Sequence, residues 1–247
     1  MANFTTNDLM PIPMSGHLST LNPMSKQVYD ELLEALITWE LHPGDILIES
    51  RLAERFNTSR TPIREALKVL AGEGFLKVIP RTGYVVCPVT FEDVHEVAYM
   101  RQILEPEAAA LTASRIELES VQATLNELER ITKELAAAST RGQERIDPRD
   151  IYNYNTHFHL SIAHASGIRR LAGAIDVLLK EEARVMFRDR TVKDAPFVTG
   201  EHLALLEVIR AGNPDRARLA MKAHVEGNRG RLLESLLSSR STTLISL

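Results

Sequence analysis

The sequence predicts a mainly α-helical chain in two parts, a three-helix unit closed by a β-hairpin followed by an all-helical bundle. Three observations carry this. Apolar residues recur at helical spacing along most of the 247 residues. One pair of strand-like runs, 74–79 and 84–87, flanks the turn Pro80-Arg81-Thr82-Gly83. After Pro88-Val89-Thr90 only helical patterns follow, punctuated by Gly167, Gly212 and Pro214.

The first part reads in order. Residues 1–24 are rich in Asn, Thr, Ser, Pro and Met, lack the basic start and apolar run of a signal peptide, and are expected to form a mobile arm. Ser25–Trp39 places Val28, Leu32, Leu33, Leu36 and Ile37 on one face of a supporting helix. Pro43-Gly44-Asp45 is a turn. Glu49–Phe56 is a short helix with Leu52, Ala53 and Phe56 inward, and Asn57 suits the left-handed backbone of a tight interhelical turn.

The next helix opens at Ser59. Ser59 or Thr61 can cap it, and Pro62 fits a first turn where its missing N–H costs nothing. Ile63, Ala66, Leu67 and Leu70 form its apolar stripe, so Arg60, Thr61, Arg64 and Lys68 face outward. Alone, that face reads as a solvated charged surface. Helix, helix, turn, helix, hairpin is the layout of a winged helix-turn-helix, whose last helix enters the DNA major groove. In that setting the outward Arg and Thr suit phosphates and guanine edges. The DNA-facing candidates are Arg51, Ser59, Arg60, Thr61, Arg64 and, in the hairpin turn, Gly83.

Residues 26–88 resemble the DNA-binding domain of GntR-type bacterial transcription regulators. The resemblance rests on P-G-D at 43–45, L-A-E-R-F at 52–56, S-R-T-P-I-R-E-A-L at 59–67, and G-F-L followed by R-T-G-Y-V-V. Asn57 and Thr58 stand where the family usually has Gly and Val. Ser50 stands where an arginine is frequent, with Arg51 one residue along.

The net charge of −4 does not by itself point to nucleic acid, but Arg51, Arg55, Arg60, Arg64 and Lys68 concentrate positive charge locally. The single cysteine, Cys87, excludes an internal disulfide and suits a reducing cytosol. No run approaches the roughly 18 apolar residues of a membrane span, so a cytoplasmic protein is expected.

In the second part, expected over 91–237, Thr90 caps a helix to about Ser114, with Glu92 and Asp93 in its first turn. Val94, Val97, Met100 or Arg101, Leu104, Ala108 and Leu111 form its inward stripe, and Pro106 should kink it or break one backbone bond. Further helices are expected over 117–138, 148–165, 168–189, 195–211 and 213–237, with a Ser/Thr-rich tail at 238–247. Three of these helices turn a histidine toward their apolar side. Asn155 and His159 lie four apart on one face, His202 joins Leu205, Leu206 and Ile209, and His224 joins Met221 and Asn228. A lone inward histidine is usually a core residue with one hydrogen bond. Three on separate helices suggest a divalent metal. His157 and His164 are read as structural.

Residues 91–235 resemble the helical effector domain of the FadR-like branch of the GntR family. The resemblance rests on R-Q-I-L-E-P-E-A-A-A-L at 101–111, N-T-H-F-H at 155–159, G-E-H-L-A-L-L at 200–206 and M-K-A-H at 221–224. It implies one divalent metal per chain, zinc, nickel or manganese, on Asn155, His159, His202 and His224. In that branch the first ligand is an Asp or Asn four residues before a His. Other members lack the metal and bind an acyl ligand.

Arg101 lies inward, where an unpaired charge is expensive. It is read either as an ion pair with Glu105 or as a bidentate clamp for a carboxylate effector. Asn228 is a second effector-facing candidate, and Arg184 and Arg188 are read as surface residues more than pocket residues. The expected protein is a homodimeric transcription regulator that binds a double-stranded inverted-repeat operator and responds to a small organic acid. The rivals are a metal-dependent hydrolase, for which no H-E-x-x-H appears, and a DNA-binding protein whose helical half only dimerises.

Overall fold

The computed structural model describes residues 21–140, 147–188 and 195–238. The N-terminal part contains α1 (Pro23–Ile37), β1 (Ile46–Leu47), α2 (Glu49–Arg55), α3 (Arg60–Gly72), β2 (Leu76–Ile79) and β3 (Gly83–Val86). α1 starts two residues earlier than expected because the Asn22 side chain accepts from the Ser25 N–H at 2.9 Å and caps it. Residues 1–20 of the expected arm and 239–247 of the expected tail lie outside the described residues. Asn57 takes the left-handed backbone its position requires, with φ 47°.

The strands form an antiparallel sheet in the order β1-β3-β2, with Leu76 opposite Val86 and Ile79 opposite Gly83. Gly83 is there for room: a Cβ on it would stand 2.3 Å from the Leu47 carbonyl oxygen. Val28, Leu32, Leu36, Ile63, Leu67 and Leu70 close the core beneath the sheet. Each such side chain contributes about 1.5–3 kcal/mol by leaving water.

Among its described residues the C-terminal part has helices and no strands: α4 (Phe91–Ala113), α5 (Glu119–Thr140), α6 (Pro148–Ala165), α7 (Arg169–Arg188), α8 (Ala195–Arg210) and α9 (Pro214–Ser238). Thr90 and Asp93 form a reciprocal capping box at the start of α4. α4 runs on through Pro106. It packs against α9, α7 and α6, while α5 packs against α8 and α6. Gly167 and Gly212 adopt positive φ at two helix joints.

α7 also touches the N-terminal domain. The Lys180 ammonium donates to Asp176 at 2.8 Å and to the Tyr29 hydroxyl at 3.0 Å, and Tyr29 donates to Glu73 at 2.6 Å. Arg184 is buried, not on the surface as expected. It donates to the Cys87 carbonyl and stacks over Trp39, whose indole N–H donates to the Arg184 carbonyl at 2.7 Å. The sequence periodicity of α7 does not show this, because the covering surface belongs to the other domain. The side chain of Arg188 lies outside those described.

Candidate functional site

Helical spacing puts His159 one turn after Asn155 on α6, and Asn228 one turn after His224 on α9. Both asparagines are buried. The bundle brings His159, His202 and His224 together, with one ring nitrogen from each within 4.8 Å of the others. The ring of Phe158 stacks on His202 at 3.8 Å and fixes its plane.

The outer nitrogen of each imidazole has a partner. His159 Nδ1 lies 2.6 Å from Glu105, and His224 Nδ1 lies 3.3 Å from Glu201. His202 Nδ1 lies 2.8 Å from the Tyr154 hydroxyl. The direction of that last bond follows from proton counting. Thr132 donates its only hydroxyl hydrogen to the Leu128 carbonyl at 2.5 Å. At 2.8 Å from Thr132, the Tyr154 hydroxyl must then be the donor. Its own hydrogen being committed, Tyr154 accepts from His202 Nδ1–H. Glu105 and Glu201 stand beside Nδ1 of His159 and His224 as ion-pair partners. His202 thus carries its hydrogen on Nδ1 and its lone pair on Nε2, the tautomer of a metal ligand whose other nitrogen is held by an outer partner, and the carboxylates beside the other two rings favour the same tautomer there.

His159 Nε2 and His224 Nε2 stand 3.3 Å apart. With the hydrogen on Nδ1 in both, two neutral rings would set lone pair against lone pair. A cation between them removes that conflict, so the donor set fits a divalent metal. Burial, partly offset by Glu201, pushes the His224 imidazole below its ordinary range and favours the neutral, ligating form.

Arg101, not Met100, takes the inward position on α4. It is fully buried and pairs with Glu105, as the i, i+4 reading anticipated, and also with Glu182 of α7. Burial opposes the guanidinium charge, and the two carboxylates outweigh it. Burial alone would raise the Glu105 carboxyl; Arg101 and His159 overcome that and hold it well below the usual carboxylate range. Of the two readings of Arg101, the ion pair with Glu105 is present and a wholly free bidentate fork is not. Nε and Nη1 are engaged by protein carboxylates, and only Nη2 lacks a partner.

Glu182 was missed, although a signal existed: it shares the apolar stripe of Ile175, Leu179 and Met186 at helical spacing. Tyr154, on the stripe of Ile151, Phe158 and Ile162, reads as an ordinary core aromatic.

On the N-terminal domain, Arg51, Ser59, Arg60, Thr61 and Arg64 are all exposed. Ser59 holds the N-cap position of α3 but makes no side-chain cap bond, contrary to the capping expectation. Arg64 is held by Glu49, the first residue of α2.

A family model described as "Bacterial regulatory proteins, gntR family" matches residues 24–86, and one described as "FCD domain" matches residues 96–227. The chain belongs to the GntR family. It carries that family's helix-turn-helix domain and an FCD effector-binding domain, and it is a transcription regulator, not an enzyme. Among GntR relatives, the regulator McbR of Escherichia coli is 32% identical over 167 residues, covering 68% of this chain and 72% of McbR. The E. coli repressor RspR is 25% identical over 210 residues, 85% of this chain and 89% of RspR. The solved structure of E. coli McbR/YncC aligns at a TM-score of 0.71 with 26% identity, covering 87% of this chain and all 100% of that one. No helix among the described residues is long and apolar enough to cross a membrane.

Proposed function

We propose that this GntR regulator works in the cytoplasm as a homodimer. The segment 25–88 would bind a short inverted-repeat operator through α3 and the β2–β3 hairpin. The segment 91–237 would hold one divalent transition metal and sense a small carboxylate. Asn155, His159, His202 and His224 would hold the ion, which supplies positive charge and open positions to an anionic oxygen. The observation that carries this reading is the convergence of three imidazoles on one point of the bundle, each with a polar group beside its outer nitrogen.

Charge favours a monocarboxylate over a dicarboxylate. Glu105 and Glu182 against Arg101 leave the buried cluster at −1, and a divalent ion takes it to +1. One carboxylate restores neutrality, and a second would be desolvated without a partner. The Nη2 of Arg101 is the donor left for that ligand, with Asn228 one turn from His224 on α9. A dimer is supported by apolar side chains left exposed on two helices packed together, Tyr99 and Ile103 one turn apart on α4 and Leu219 on α9.

The signal would travel along α7. This helix carries Glu182 into the Arg101 cluster and Lys180 and Arg184 against the DNA-binding domain. A ligand that draws on Arg101 changes what holds Glu182, and so favours one placement of the DNA-binding domain over another.

A thermal-shift series with zinc, nickel or manganese, with and without acetate, lactate and succinate, tests the reading. Metal should raise the melting midpoint, a monocarboxylate should raise it further only when metal is present, and succinate should do less. Equal shifts on chelator-treated protein would contradict it.

A further inference from the structure

Arg64 is not a free arginine on an open helix face. Its Nε donates to Glu49 Oε1 at 3.0 Å and Oε2 at 3.2 Å, and its Nη2 donates to Oε2 at 2.7 Å. The pair spans the two helices of the helix-turn-helix, with half of the Arg64 side chain (52%) still open to solvent. Hydrogen bonding from Arg64 holds the Glu49 carboxyl below its ordinary range, and Arg60 and Lys68 add to this, so Glu49 stays ionised at neutral pH.

A guanidinium has five N–H groups in a rigid plane. Glu49 takes the Nε–H and one Nη2–H along one edge. The second Nη2–H and one Nη1–H remain along the outer edge. That edge offers two parallel donors, the pattern that matches guanine O6 and N7. Holding the side chain also spares the ordering cost a mobile arginine meets on binding. The carboxylate further cancels the charge that would draw Arg64 to phosphates of any sequence.

We propose that Glu49 is the positioning residue that makes Arg64 a guanine reader instead of a phosphate clamp. This rests on the reading that α3 enters the major groove. It predicts two changes of opposite sign when Glu49 loses its charge. Discrimination at one base position falls, and affinity for unrelated DNA rises. A residue that merely supported the fold would weaken both together.

Selection from a randomised duplex library with the full chain, Glu49→Gln and Arg64→Ala tests this. The parent should enrich a guanine at one position in each half-site, and Arg64→Ala should lose that preference. Glu49→Gln should melt like the parent, flatten the preference at that same position about tenfold, and bind an unrelated duplex more tightly. An unchanged preference in Glu49→Gln would overturn the proposal. So would a parallel loss of specific and non-specific binding. If Arg64→Ala keeps the parent's motif, Arg64 reads no base and the proposal falls; if Arg60→Ala keeps it as well, the major-groove reading of α3 falls too.

Discussion

In the N-terminal domain the large buried side chains are almost all apolar, and Arg51, Arg55, Arg60 and Arg64 face solvent. In the C-terminal domain Arg101, Glu105, Asn155, His159, Glu182, His202 and Asn228 are all buried. The first arrangement keeps charge where a polyanion can reach it. The second encloses charge at a desolvation cost that packing alone would never require, since apolar residues of similar volume would hold the bundle at least as well. The buried charges therefore mark the part of the molecule specialised for a ligand, as the exposed ones mark the part specialised for DNA.

Five substitutions probe this contrast. Glu105→Ala should have the largest effect. It strips one carboxylate from a buried arginine and the orienting partner from His159, and should cost about 3–5 kcal/mol in denaturant unfolding. A loss under about 1 kcal/mol would mean the cluster is wetter than its burial indicates. Arg64→Ala should leave the unfolding midpoint nearly unchanged and weaken operator binding by about 1–3 kcal/mol for each guanine it reads. Parent-like binding by both Arg64→Ala and Arg60→Ala in gel-shift titrations would remove α3 from the interface.

Tyr154→Phe keeps the ring but removes the acceptor for His202 Nδ1–H. Metal affinity should fall about 10–100-fold by competition with a chelating dye, and unaltered affinity would refute the proton assignment. The smallest effect belongs to the junction of the two domains. Burial, with Asp93, pushes the Glu181 carboxyl up from 4.5 to about 7. Its ionised form is disfavoured in the folded chain, so stability is present below about 4.5 and is lost as pH rises through about 7. Glu181→Gln should be more stable than the parent at pH 8 by on the order of 1 kcal/mol, a figure reduced for partial exposure. At pH 4 it should match the parent.

The DNA-binding half was legible because its signals are local. The candidate DNA-facing residues, the stripe and the turn lie close together in sequence, and Asn57 shows its backbone geometry by its identity. Arg101 with Glu105 was legible for the same reason, as an i, i+4 pair. What the sequence did not disclose depends on packing between distant segments. Glu182 reaches Arg101 from another helix, Tyr154 serves His202 across 48 positions, and Arg184 is covered by the other domain. Glu201 is instructive. Adjacent helical residues diverge by about 100°, which argued against its facing the same point as His202. It reaches His224 Nδ1 on the neighbouring helix instead, at 3.3 Å.

The decisive measurement is the metal content of purified protein never exposed to chelator. The parent should carry up to one zinc, nickel or manganese per chain by elemental analysis. Asn155→Asp should retain it more tightly, because a carboxylate adds negative charge at the ion. His202→Ala with His224→Ala should lose it while still binding DNA. Full metal retention in that double variant would contradict the site.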